Sequence, residues 1–436
     1  TASYNTAMGY KSLYANTTGA NNTAIGFEAL LNNTTASNNT AIGLQALSAN
    51  TTGASNTAIG YQAVYSNTTG SYNMGIGFEA VKDNTTGDRN TGVGYQALAS
   101  NTTGSDNNAF GYCSLCYNTT GSYNVAFGGN ALYSNTTGTS NVAFGYKPLF
   151  SNTTGSYNTA SGYQALYSNT TGNYNAAFGY GSLANNTTAS YNTAFGVQSL
   201  LANTTGTLND AFGLLALQAN TTGNYNTSFG SNSLSYNTSG GYNVAVGRRS
   251  LYSNTTASYN SAVGYDALYN NTIGFDNAAL GWYTLRSNTT GDGNTGVGVA
   301  AGYGNETGNY NTNLGYKSGY GNATGSSNVF IGYKAGYNET GSNKLYIANG
   351  NNDEDRLIYG DFSSGNMTIG NGSGTIDFRA GTVNTGNLRV NGKQVSTIDY
   401  VNGAVSYMES LAGISSEDST WASTSARLLD EDNTAA

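Results

Sequence analysis

Three kinds of residue in this 436-residue chain have types and spacing that could do chemistry: a cysteine pair, a recurring Asn-x-Thr triplet and rows of tyrosine. Cys113 and Cys116 form a single Cys-x-x-Cys. A structural zinc site needs four Cys or His ligands, and with no His and no second such pair this is half a site at most. In other repeats the equivalent positions carry residues such as Gln, Lys or Tyr, so the cysteines read as tolerated substitutions. A local disulfide or a metal shared between chains are the alternatives. No catalytic, metal or cofactor site is assigned. The triplet begins at Asn16, Asn33, Asn50, Asn67, Asn84 and Asn101 and continues along the chain. It has two readings: an exposed acceptor for N-linked glycan in a secreted protein, or turn chemistry whose Asn and Thr stack as hydrogen-bonded ladders. Tyr72, Tyr123, Tyr157 and Tyr174 each precede the Asn that opens a unit. They could stack against sugar rings, or cover edges by stacking on one another.

Catalysis finds little support. Without His the usual general base near neutral pH is missing. No acidic position of the repeats is carried on from one coil to the next, which gives little support to a carboxylate pair for glycoside hydrolysis. The expectation is a non-enzymatic protein. A net charge of −8 argues against a nucleic-acid partner, which needs basic patches. No apolar run approaches the ~18 residues of a membrane span, so no membrane insertion is expected. A chain opening at Thr1 reads as a mature or fragmentary product.

The elements that position these residues follow from a repeat. Gly recurs at 9, 26, 43 and 60 and then every 17 residues to Gly332. A period held without insertion marks each unit as one coil of a solenoid. With 60 Gly, one Pro and only 9% charged residues, the fold class is all-β: a parallel β-solenoid, or β-roll, of about twenty 17-residue coils. In the unit from Asn56 to Tyr72 (NTAIGYQAVYSNTTGSY) the spacing predicts two short strands, Thr57–Ile59 and Tyr61–Tyr65, joined by a corner at Gly60 and a turn at Asn67–Gly70. Two columns of large residues are expected to face inward. One is the residue before the fixed Gly (Ile59, Phe127), the other the residue four after it (Val64, Leu166). The small column two before the Gly (Ala58, Gly75) would then lie on the opposite face, where another backbone could approach. At Gly302, Gly319 and Gly336 the large inner residue disappears, which predicts a thinning coil, and the last unit is two residues short before Asn343.

The string Asn56–Ala63 (NTAIGYQA) resembles the head repeat of trimeric autotransporter adhesins, and the repeats together with NKLYI (Asn343–Ile347) and LIYGDF (Leu357–Phe362) resemble phage tail-fibre proteins. The resemblance implies a homotrimeric rod on a virion or outside the cell, presenting a surface or tip to a cell-surface glycan or receptor. The expected organisation is a shaft over 1–343, a small β-rich connector over 344–396, a short trimerising coiled-coil helix over 397–414 and a polar tail over 415–436. Asn391–Gly392 is a hairpin signal within the connector. The alternatives are a heavily N-glycosylated extracellular filament subunit assembling end to end, an ice-binding solenoid and a glycan-degrading tailspike.

Overall fold

The computed structural model describes residues 2–352, 355–370, 389–390 and 393–394. The chain forms two compact units, Thr1–Gly374 and Thr375–Ala436. The first is a parallel β-solenoid of about 20 turns. Its strands run from β1 (Thr6–Met8) to β20 (Val329–Ile331), each three residues long. Consecutive strands pair parallel at a constant offset of 17, as in Thr57↔Met74, Ala58↔Gly75 and Ile59↔Ile76. No α-helix occurs among the described residues. In the second unit, β24 (Arg389–Val390) and β25 (Lys393–Gln394) pair antiparallel, the hairpin that Asn391–Gly392 predicts. The expected helix over 397–414 and the tail over 415–436 lie outside the described residues.

Each strand ends at the fixed glycine because the chain turns there in a conformation closed to L side chains. At Gly60 φ is +135°, and a Cβ would meet the carbonyl oxygen of Gly77 in the next coil at 2.3 Å. Beyond the corner the expected second strand does not form. Gln62 and Val64 adopt φ of +50° and +52°, so the backbone alternates between left- and right-handed conformations. The N–H groups alternate with it: Gln62 N donates to Leu44 O in the coil before, and Val64 N to Ala80 O in the coil after. Every coil repeats this, which holds bulky residues in a region they rarely visit. The segment still joins its neighbours, but without the period-2 exposure of a strand. Ala63 and Val64 are adjacent and both buried.

The inward assignment divides. The column four after the glycine is the core, with Val64, Leu98 and Leu166 fully buried. The column before the glycine points out: Ile59 is 36% exposed and Phe127 53%. The small column faces in, with Ala58 and Ala126 at 0%. The two expectations were linked, because neighbouring strand residues face opposite sides. The wall opposite already carries the Leu or Val, and only a small residue fits against it. A Cβ on Gly75 would lie 2.6 Å from Val64 Cγ2.

The interior is also polar. Asn67 Nδ2 donates to Asn50 Oδ1 at 2.8 Å and to Gly70 O at 2.8 Å, and its Oδ1 accepts from Asn84 Nδ2 at 2.8 Å. A second column opens the units. Asn56 Nδ2 also donates to Gly70 O, while its Oδ1 accepts from Asn73 N. Two fully bonded amide ladders thus run through the core, as buried polar groups require.

The last coils do not thin. Where Gly319 and Gly336 remove the large residue, Asn313 and Phe330 replace alanine on the facing strand and are buried at 2% and 0%. A Cβ on Gly336 would meet Phe330 Cδ1 at 2.5 Å, so the volume has moved across the core. β21 (Lys344–Ala348) continues the parallel sheet with Val329↔Leu345, and Lys344 N takes Asn328 Oδ1 at |i−j| of 16. The final coil is therefore one residue short, not two. β22 (Arg356–Asp361) and β23 (Asn366–Ile369) then add antiparallel.

Candidate functional site

A coil-by-coil stack turns each repeat position into a column of side chains running along the solenoid. The positions proposed for glycan attachment form the inner amide ladder. Asn33, Asn50, Asn67, Asn84 and Asn101 are fully buried, Asn16 in the first coil is partly open, and Asn338 in the last coil is exposed. Each Nδ2 has two hydrogens, and in Asn67 both are already donated, so the folded coil offers that nitrogen to no sugar. The Thr beside it belongs to a ladder as well: Thr68 N and Oγ1 both donate to Thr85 O.

The positions proposed for glycan stacking are on the surface. Tyr72, Tyr123, Tyr157 and Tyr174 are exposed. Each has positive φ at a corner of the coil, which swings the ring outward. Tyr157 and Tyr174 stack with ring centroids 4.9 Å apart, and Tyr191 continues the row at 5.1 Å. Tyr72 and Tyr123 have Ser, Arg or Asp in this column on the adjoining coils, and the structure does not bring them into a row. A second row follows the fixed glycine, with Tyr61, Phe78, Tyr95 and Tyr112 stacked at 4.9 to 5.2 Å. The spacing is imposed by the strands, whose ~4.8 Å separation suits offset ring stacking.

Cationic clamps were missed from sequence. Lys147 Nζ lies 5.2 Å from the Tyr146 centroid and 5.4 Å from that of Phe150; Lys317 repeats this over Tyr316 and Tyr320 at 5.3 and 5.4 Å. The signal was present as aromatic-Lys-x-x-aromatic, at Tyr10–Tyr14, Tyr146–Phe150, Tyr316–Tyr320 and Tyr333–Tyr337. The Tyr316 hydroxyl beside Lys317 raises the pKa of that ammonium, which keeps its charge. An ion cluster was also missed. Asp266, with a fully buried side chain, takes Arg249 Nη2 at 2.8 Å, and Arg286 Nε approaches it at 3.5 Å.

The cysteines are both free thiols in the solenoid, buried against Ala99 with Tyr133 packed beside them. Burial, then the neighbouring Cys113, pushes the Cys116 thiol up to about 12, far from the thiolate needed for attack or metal binding. Among the described residues no group of three His, Cys, Asp or Glu could hold a metal ion, and no helix is long and apolar enough to cross a membrane.

The most extensive surface is the outward column of the strands. Ile42 and Ile59 lead to Phe127 and Phe144, then Phe195 and Phe229, then Val263, Leu280 and Leu314, every one at least 36% exposed. Ser161 is its one polar member. Neither a family model nor a curated protein nor a solved structure matches the chain.

Proposed function

We propose that the chain is the shaft of a non-enzymatic structural and adhesive fibre, built as a homotrimer and carried on a virion or outside a cell. The outward strand column carries this reading. Ten of the twenty members, from Met8 to Leu314, are at least 36% exposed; at roughly 60–100 Å² each they leave on the order of 800 Å² per chain open. A standard stable interface takes about 800 Å² per partner, and apolar patches this large mark association surfaces. The best match for such a column is another copy. Its rungs recur at the same ~4.8 Å, its aliphatic, phenyl and aliphatic bands meet their like when copies lie parallel and in register, and only in that arrangement does the lone Ser161 face its own copy. The aromatic rows elsewhere on the coil would then remain free for a receptor or glycan.

Sedimentation equilibrium tests the reading. The expected mass is three times the 45.1 kDa of one chain. Replacing Phe195, Phe212 and Phe229 together by Ser should release single chains while the far-ultraviolet spectrum stays β-rich. A monodisperse monomer of the unaltered protein at micromolar concentration would refute the assembly.

A further inference from the structure

The aromatic row that follows the fixed glycine lacks its ring in several coils, and at Val299 the missing ring leaves a slot lined by aromatic residues. In three successive coils this position carries Trp282, Val299 and Tyr316, and the next residue is Tyr283, Ala300 and Lys317. Trp282 and Tyr283 lie against one another with centroids 4.7 Å apart and form one wall. Tyr316, stacked on Tyr333 at 5.5 Å, forms the other. Val299 and Ala300 are the floor. The side is closed by Tyr303, which stacks on Tyr320 at 4.9 Å. The cavity between the walls measures about 330 Å³, within the range of small-ligand sites. The Arg286 guanidinium lies 5.3 Å from the Tyr283 centroid, and Lys317, which lines the slot, lies over the Tyr316 and Tyr320 rings.

Walls and charge select the occupant. The strands that carry the two walls are two coils, about 9.6 Å, apart. Trp282 is turned 69° from Tyr265 and so stands out of the flat ring stack. The slot is therefore aromatic on two sides, and a pyranose ring, with C–H bonds on both faces, suits such walls. Among the charged residues of these coils only Lys317 lines the slot, and no carboxylate does. Arg249 and Arg286 are engaged with Asp266. We propose that this missing rung binds one acidic pyranose unit of a polysaccharide, a uronic-acid residue between Trp282–Tyr283 and Tyr316 with its carboxylate on Lys317. For its biological use the slot rests on the adhesive reading above; its chemistry does not.

The test uses the chain with Trp421→Phe, which leaves Trp282 as the only tryptophan. Titration with trigalacturonate should change Trp282 fluorescence saturably, and α-1,4-linked galactotriose, its neutral counterpart, should bind at least about tenfold more weakly. Lys317→Gln should erase that preference. Val299→Tyr restores the ring carried by most other coils, so it should fold normally and abolish binding by filling the slot. No saturable change, equal affinity for both trisaccharides, unchanged binding by Lys317→Gln, or full binding by a folded Val299→Tyr each overturns the proposal. Sedimentation of Val299→Tyr separates the readings: lost binding with the parent's mass supports the slot and leaves the fibre reading untouched, whereas a parent protein that binds as a monomer refutes the fibre and not the slot.

Discussion

Asn67 illustrates how much one residue can carry when it recurs in every coil. Its amide donates twice and accepts once in a core closed to bulk solvent, so truncation orphans groups on both neighbouring coils. Asn67→Ala should lower the local opening free energy by about 2 kcal/mol, read as roughly 30-fold faster amide exchange across the flanking coils. Unchanged exchange would show that the ladder contributes nothing there. Cys116 makes the complementary case. Held at about 12 by burial and by Cys113, its thiol stays protonated at pH 8. Iodoacetamide should therefore label it slowly in the folded protein and at an ordinary thiol rate in denaturant. The glycan-attachment reading met its limit at this same scale. Asn-Thr-Thr spells both an acceptor and a ladder, and the choice depends on which side of the coil the amide points, a fact about the neighbouring coil that the triplet does not contain.

At the scale of the coil, the period, the parallel register, the glycine corner and the inward Leu column were all legible, because each is set by spacing alone. Two features were not. Tyr61–Tyr65 has the length and aromatic content of a strand, and its alternating positive φ at Gln62 and Val64 arises from pairing above and below at once. The outward Ile and Phe column was misread because large apolar residues were assigned inward, whereas the facing wall leaves room only for alanine. The exchange of volume near the end of the stack is the sharpest test of this packing. Phe330→Ala alone leaves a cavity and Gly336→Leu alone clashes, each expected to cost about 2–4 kcal/mol. Together they recreate the ordinary Ala–Leu pair, so a double-mutant cycle should show a coupling above about 1 kcal/mol. Additive losses would mean that the two sites do not share the core. Where β21 meets β22, Asp361 is held well below the usual carboxylate range, first by the hydrogen bond from Lys344 Nζ at 2.7 Å and then by Ser363. A depressed folded pKa stabilises above the unfolded value near 3.9 and is lost as pH falls below it. The protection factor at β22, exchange measured against the intrinsic rate at each pH, should therefore fall below about pH 4, and Asp361→Asn should weaken that dependence while leaving the coils unaffected.

At the scale of the whole molecule, the solenoid separates its duties by face. The amide and Leu columns hold each coil to the next, the outward strand column is apolar and the aromatic rows with their cationic clamps lie on the surface; the proposed fibre would use the strand column for other copies and the aromatic rows for a ligand. Charge is scarce, so association through the strand column should resist salt. Raising NaCl to 1 M should leave the sedimenting mass unchanged, and dissociation would point to an electrostatic interface instead. All of these duties depend on the direction in which the middle strand residue points. A cryo-EM density map of the purified protein tests that most directly. The account predicts rungs about 4.8 Å apart, one for every 17 residues, with Ala194 inside the coil and the Phe195 ring outside it. Phe195 density within the coil, or rungs that do not follow the repeat, would contradict it.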